Sequence, residues 1–305
     1  MDFRVKLNAV DVTDKIELNS CNLFDRLGGM TDNLKIQIPY NSELTFNKFD
    51  ELKITADKYS TGVMYISGCN GVNNNASCVI NALSYKATNK NKRSRIITNV
   101  TLYQLINDAA ANCGLGIKLY DVVNYNYKAV CQLNETDLQF LNRICLREGY
   151  SVKVDDGNLV VFNDYSLENN YEAAKLSRSD VSAFDFKRAE NGLRNMTVRF
   201  YSVGNKETIS YTATDNSFDG GAETVTEFIS GIDEAQRFAK GYMRAKNNMA
   251  LSGVLTMGFN TDLSAGTTVD LTGFDEYDGR YIIYELRHDI VNEKTHLKIR
   301  KTLGY

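Results

Sequence analysis

Residues 132–150 read QLNETDLQFLNRICLREGY and run directly into SVKVDDGNLVVF at 151–162. Leu138, Leu141, Ile144 and Cys145 recur at spacings of three and four, with Phe140 alongside, which is the apolar stripe of an amphipathic helix. Asn134 is placed to cap the first turn, and Asp137, three residues on, to complete a capping box. Glu135 and Asp137 set negative charge at the positive end of the helix dipole. Arg147 lies in the last turn, and Gly149 is free to take the left-handed conformation that ends a helix. Period two follows at Val152 and Val154, then a reversal at Asp155-Asp156-Gly157 and a return strand over 159–162. The stretch predicts a helix followed by a hairpin. Glu148 opposes the dipole, so it requires a basic partner that local sequence does not identify.

Upstream, short alternating runs predict two strands within 3–19 and further strands at 34–38, 51–56, 62–67 and 77–83. Pro39 ends one of them. Asp57-Lys58, Gly68–Gly71 and Asn73-Asn74-Asn75 read as turns, and 21–33 as a connection broken by Gly28-Gly29. Leu102, Leu105, Ile106, Ala109, Ala110 and Cys113 form a second helical stripe, with Thr101 or Thr98 as its cap and Gly114 at its end. A short strand is expected at 129–132. Beyond a polar stretch at 164–182, strands are predicted at 193–203, 207–214, 251–258, 267–272, 281–291 and 296–302. A helix at about 231–248 carries the stripe Ala235, Phe238, Ala239, Tyr242 and Met243, opened by a capping box from Ser230 to Asp233.

Length and composition narrow the class. A chain of 305 residues suggests two or three domains, and a single proline leaves no linker that would separate them. With 35 basic against 38 acidic residues there is no coherent basic face, and the run Lys90-Asn91-Lys92-Arg93-Ser94-Arg95 reads as a solvated loop rather than a nucleic-acid site. Neither a signal sequence nor a membrane-spanning stretch is present, so synthesis and assembly in the cytoplasm are expected. The six cysteines contain no CxxC pair and read as free thiols.

Chemistry is sparse. His288 and His296 are the only histidines and lie on predicted strands with no cysteine nearby, so neither forms a metal site. Glu135 and Asp137 could be paired acids of a sugar hydrolase, but their position at a helix start fits dipole complementarity better. No phosphate loop, nucleophile elbow or dinucleotide fingerprint appears, and no catalytic, metal or cofactor residue is assigned. Tryptophan is absent while tyrosine numbers 18, a balance that suits protein interfaces better than a carbohydrate groove.

The pattern Gln132, Glu135, Asp137-Leu138-x-Phe140-Leu141, Arg143, Glu148-Gly149-Tyr150 and a hairpin resembles the baseplate hub proteins of phage tails. This is the late control protein D family, related to the hub module of type VI secretion spikes. Asp233-Glu234-Ala235 opening a helix, Leu263-x-Ala265-Gly266-x-x-Val269, Asp278-Gly279-x-Tyr281-x-Ile283 and His288 resemble the C-terminal part of the same hubs. Glycines 266 and 279 also suit hairpin turns in any β protein. The resemblance spans roughly residues 45–305. It implies an α+β, mainly β chain: a tube-like antiparallel β-barrel domain over 1–95, an α+β unit over 96–165 and a second tube-like barrel over 166–305. It further implies a homotrimeric ring, without catalysis, that adapts a sixfold tail tube protein to a threefold central spike, among other baseplate proteins, with no nucleic-acid partner and no membrane anchor. The chain has no room for a fused spike or lysozyme-like domain, so a separate spike protein is expected. The alternatives are a tail-associated peptidoglycan hydrolase using Glu135 or Asp137 as its acid, and a peripheral receptor-binding baseplate module.

Overall fold

Alternating burial shapes most of the strands. In Asn33–Pro39 the side chains of Leu34, Ile36 and Ile38 point inward while their neighbours face out, and Leu52, Ile54 and Ala56 repeat the pattern in Glu51–Ala56. The structure, a computed structural model, describes residues 3–28, 31–40, 43–56, 59–72, 76–86, 91–169, 174–189 and 192–305. The turns read at Asp57-Lys58 and Asn73–Asn75, together with Gly29 and Lys90, lie outside the described residues. Strands dominate, and their pairings are mostly antiparallel: the chain is α+β and mainly β.

Both ends of the chain feed one fourteen-stranded sheet. Its main path runs from Val181–Arg188 through Leu251–Gly258, Lys294–Lys301 and Gly279–Asp289 into Ser20–Arg26, then on to Asn33–Pro39, Ser77–Leu83, Met64–Val72, Glu51–Ala56 and Phe3–Leu7. The seam between the two ends is antiparallel, with Glu285 opposite Arg26 and His288 opposite Leu23. The expectation that 21–33 is a connection is therefore corrected, because Ser20–Arg26 is a strand at the centre of the sheet. Its apolar alternation stops after Cys21 and Leu23, since Asp25 and Arg26 carry ion pairs instead: Asp25 with Lys153, and Arg26 with Glu285 at 2.9 Å. The polar stretch 164–182 likewise contains a short helix, Asp164–Asn169, and a strand, Ala174–Ser177, and the edge strand Val181–Arg188 was not anticipated.

Between the ends lies a helical layer. Helix α1 (Leu102–Cys113) starts at Thr101, whose hydroxyl accepts the Gln104 N–H while the Gln104 side chain returns to the Thr101 N–H, and it ends on left-handed Gly114. Helix α2 is Asp137–Arg147, α3 is Asp164–Asn169 and α4 is Ile232–Asn247. The expected box from Ser230 to Asp233 is replaced: Gly231 is the cap residue, and the Glu234 carboxylate accepts the Ser230 N–H. The strand expected at 129–132 runs over Asn126–Glu135 and pairs with Arg93–Thr101.

The packing crosses sequence segments. One apolar core combines α1, α2 and the hairpin Tyr150–Asp155/Asn158–Asn163 with α4 and the small sheet of Asn195–Ser202, Glu207–Thr214 and Ala222–Thr226. Two further cores lie under the N-terminal and C-terminal strands of the large sheet. All six cysteines are free thiols.

Helix α4 meets the end of α2 so closely that only glycine fits at 241: a Cβ there would lie 2.2 Å from the Arg147 carbonyl oxygen. Gly241→Ala must push the helices apart, and we expect a loss of about 1–3 kcal/mol in urea denaturation. An unchanged midpoint would mean that the contact yields without cost.

Candidate functional site

The residues singled out by the sequence fall in two places. Nine of them surround α2. The chain enters this helix from strand Asn126–Glu135 through a bulge at which Asn134 takes φ +52°. Asn134 is thus still part of the strand, its N–H bonded to Ser94 Oγ, and it is not the cap. Thr136 is: its hydroxyl accepts the Gln139 N–H at 3.3 Å, and the Gln139 side chain accepts the Thr136 N–H at 3.0 Å. Asp137 is the first helical residue and turns inward, which fits the dipole and also ties the helix to its neighbours. It accepts hydrogen bonds from Asn112 at 2.9 Å and Gln132 at 3.1 Å, with Arg93 and Arg95 each 3.5 Å away.

Glu135 grips Arg143 through two parallel bonds of 2.9 and 2.8 Å, and Arg143 also donates to the Cys131 carbonyl. That guanidinium holds the Glu135 carboxyl below the usual range. Phe140, Leu141, Ile144 and Cys145 are buried, while Leu138 is only partly so. At the far end Arg147 lies over the rings of Phe238 at 4.2 Å and Tyr127 at 5.3 Å, and reaches Glu227 at 3.3 Å. The partner required by Glu148 is Arg237 of α4, at 2.8 Å, with the Tyr127 hydroxyl donating at 2.8 Å on the other oxygen. Burial nevertheless pushes the Glu148 carboxyl up. Gly149 has φ +77° and ends the helix, and the Tyr150 hydroxyl accepts the Val123 N–H at 3.2 Å.

The other four residues lie in the C-terminal strands, away from this cluster. Gly266, at φ +98°, leads into Thr268–Thr272, and Gly279, at φ +130°, begins the strand that pairs back onto it. Tyr281 is buried and donates its hydroxyl to the Tyr277 carbonyl at 2.8 Å. His288 is 1% exposed, within 3.0 Å of Thr295 Oγ1 and edge-on to Tyr59 with ring centres 4.9 Å apart. Burial lowers it from about 6.5 to about 4.

Three buried charge centres escaped the sequence reading because their partners are distant in the chain. One is Arg237 with Glu148. Another is Glu168 on α3, which has no side-chain exposure and lies 2.5 Å from both Arg244 and Arg300. The third joins Lys153 to Asp25 and Asp32. Each carboxylate is held by cations or by N–H and O–H donors. Among the described residues no cluster of His, Cys, Asp and Glu is arranged to hold a metal ion. Nor does any described helix have the length and apolarity to cross a membrane. The arrangement is a set of struts, which is the class of a scaffold.

The family whose sequence profile is described as phage tail baseplate hub (GPD) matches residues 84–294, well over half of the chain. The protein belongs to that family, a family of structural phage tail proteins. No curated protein matches it by sequence. Among solved structures it is similar to the 43 kDa tail protein of prophage MuSo2 from Shewanella oneidensis, with a TM-score of 0.78 at 12% identity over 99% of either chain. It is equally similar to a tail protein from Neisseria meningitidis MC58, with a TM-score of 0.78 at 14% identity over 98% of this chain and 96% of that one. The E. coli c3393 protein, a component of the type VI secretion system, follows with a TM-score of 0.63 at 11% identity over 97% and 76%. At these identities the likeness is one of fold.

Two outcomes follow from this geometry. Leu141 has no exposure, so Leu141→Asp places an unpaired charge in the core and should cost several kcal/mol, read as loss of the cooperative thermal transition. For His288 the folded state prefers the neutral ring. Its contribution is complete above about pH 6.5 and is lost as pH falls toward about 4, on the order of 3 kcal/mol over that window. Stability measured against pH in His288→Gln should lack that share of the acid-induced loss; equal slopes in the two proteins would refute it.

Proposed function

We propose that the chain is a structural hub of the tail baseplate, with three copies forming a ring between a sixfold tail tube and a separate threefold spike. In this reading residues 1–95 and 166–305 are the two tube-like parts, so three chains present six similar elements, and 96–165 is carried at their side. The hub assembles in the cytoplasm and then stays in the tail or tail-like particle. It catalyses no reaction on a substrate.

One observation carries the ring. The large sheet ends in Val181–Arg188, eight residues that pair only with Leu251–Gly258 among the described strands. The edge contains no proline, and its irregularity lies at the very start, between Val181 and Ala183; the charges it carries, Asp185, Lys187 and Arg188, fall in its second half, beyond Phe184. Phe184 is 42% exposed there, and Phe274 and Tyr277 continue an aromatic ledge beneath it. The opposite end of the sheet is closed by its own chain, since the Val5 N–H bonds to Thr13 Oγ1 and the Val5 carbonyl accepts the Val12 N–H. A neighbouring copy laid along Val181–Arg188 satisfies the open amides and covers Phe184.

The state of the carboxylates supports the absence of catalysis. Glu135, held low by Arg143, is a poor general acid at neutral pH, and Asp137 is enclosed by donors.

Light scattering on the purified 34.3 kDa chain, alone and with its tube and spike proteins, tests the reading. A trimer, either alone or on meeting the spike, is the expected result, and Phe184→Asp should keep the fold but remain monomeric. A wild-type monomer that ignores both neighbours overturns the hub. In a zymogram no clearing of peptidoglycan is expected, whereas clearing abolished by Glu135→Gln would establish the hydrolase instead.

A further inference from the structure

Lys153 projects from the hairpin strand Tyr150–Asp155 into the seam of the large sheet, where its side chain is only 7% exposed. Its Nζ is in direct contact with Asp25 Oδ1, and Asp32 Oδ2 lies 3.5 Å from the same nitrogen. Each carboxylate is fixed by a backbone donor: Ala265 N–H to Asp25 Oδ2 at 2.8 Å, and Arg26 N–H to Asp32 Oδ1 at 3.0 Å. Buried Leu23 and Met64, with Tyr59, line an adjoining cavity of about 300 Å³ that both aspartates reach. The amine thus lies against one acid, a second acid lies beside the amine, and a fixed N–H points at the remaining oxygen of the first.

These are the requirements of amide formation. We propose that Lys153 and Asp25 are joined by an isopeptide bond that the folded protein forms itself, with Asp32 carrying the protons. The reacting form is the one in which a proton has crossed the contact from Nζ to Oδ1; burial favours this neutral amine, but Asp25, Asp32 and Asp155 together favour the ammonium, so joining is slow. Nζ attacks Cγ, and the charge that develops on Oδ2 is met by the Ala265 N–H. Asp32 gives its proton to Oδ1 and takes one from Nζ. The Cγ–Oδ1 bond breaks, one water leaves into the cavity and the Nζ–Cγ bond remains. Ammonium and carboxylate become amide and water, nothing is oxidised or reduced, and Asp32 ends as it began.

Asp32 is suited to that part. Burial first, and then the negative charge of Asp25, outweigh the pull of Lys153 and push its carboxyl up to about 8, so it holds a proton at neutral pH. Asp155 adds negative charge from the hairpin side and acts in the same direction. The product would be a covalent tie between strand Ser20–Arg26 and the hairpin that packs on it.

Mass spectrometry of the purified full chain decides this. The intact wild-type protein should be lighter than its sequence by one water. A succinimide at an Asp-Gly pair such as Asp156-Gly157 loses the same water, so the tryptic digest is the critical reading. It should contain a branched peptide in which residues 16–26 are joined to 148–175, with no cleavage after Lys153. Lys153→Arg should keep its full mass and give no branched peptide. In Asp32→Asn, which retains the Lys153–Asp25 contact, joining should be slowed at least tenfold. A wild-type digest that yields 148–153 as a free peptide after prolonged incubation overturns the proposal. Joining at the wild-type rate in Asp32→Asn overturns the role of Asp32.

Discussion

Strand Gly279–Asp289 is eleven residues long, and its neighbours change along its length. On one side it pairs with Lys294–Lys301 from Tyr281 to Asp289, with one irregularity between Ile283 and Glu285; on the other its first residues pair with Thr268–Thr272 and its last with Ser20–Arg26. That change of partner makes two half-sheets into one. The seam brings together segments some 260 positions apart in the chain, a large separation to close but one whose entropic cost rises only with the logarithm of loop length. Pleating then sends Arg26 and Asp25 to opposite faces. Arg26 meets Glu285, which Lys298 holds from the next strand at 2.9 Å, while Asp25 turns to the hairpin and Lys153. One strand therefore both joins the sheet and anchors the helical layer.

A second joint has a similar economy. On α4, Arg237, Gly241 and Arg244 are spaced four and three apart and so share one face. Gly241 lets that face approach the end of α2, Arg237 takes Glu148 there, and Arg244 reaches Glu168 on α3. Arg300, from the large sheet, holds the other oxygen of Glu168. Four elements are thus fixed through two carboxylates, each fully enclosed. Because the core beneath α4 also includes Asn195–Ser202 and Glu207–Thr214, the middle of the chain is organised around α2 and not only around the strands that flank it in sequence.

The parts of this that are legible in sequence are those governed by local periodicity. The stripes of α1, α2 and α4, the hairpin at Asp156-Gly157 and most of the strands follow from neighbouring residues alone. The cap of α2 was misplaced because the local code is degenerate: Asn134 with Asp137 and Thr136 with Gln139 satisfy the same capping rule two residues apart. The register of Asn126–Glu135 against Arg93–Thr101, which carries the strand as far as Glu135, decides between them. Ser20–Arg26 was missed because Asp25 interrupts its alternation and the lysine that explains it is 128 positions away. Val181–Arg188 was missed because an edge strand exposed on both faces has no alternation to read. The candidate residues of the site were legible as types, and their partners were not.

The distribution of charge separates what must hold still from what must remain available. Inside each core the contacts are apolar, and an apolar contact forfeits only fractions of a kcal/mol when atoms slide by an ångström. At the joints the contacts are buried ion pairs: Asp25 with Lys153, Glu148 with Arg237, and Glu168 with Arg244 and Arg300. Displacing one of these strands a charge away from water, at a cost of several kcal/mol. Such pairs add little net stability over well-packed apolar groups, so what they contribute is a fixed relation between parts. The exposed edge Val181–Arg188 contrasts with them, since its amides face outward with no partner strand in the described chain. Rigid internal joints lower the cost of docking along an open edge such as this one, because little free energy is lost to internal rearrangement when a neighbour docks.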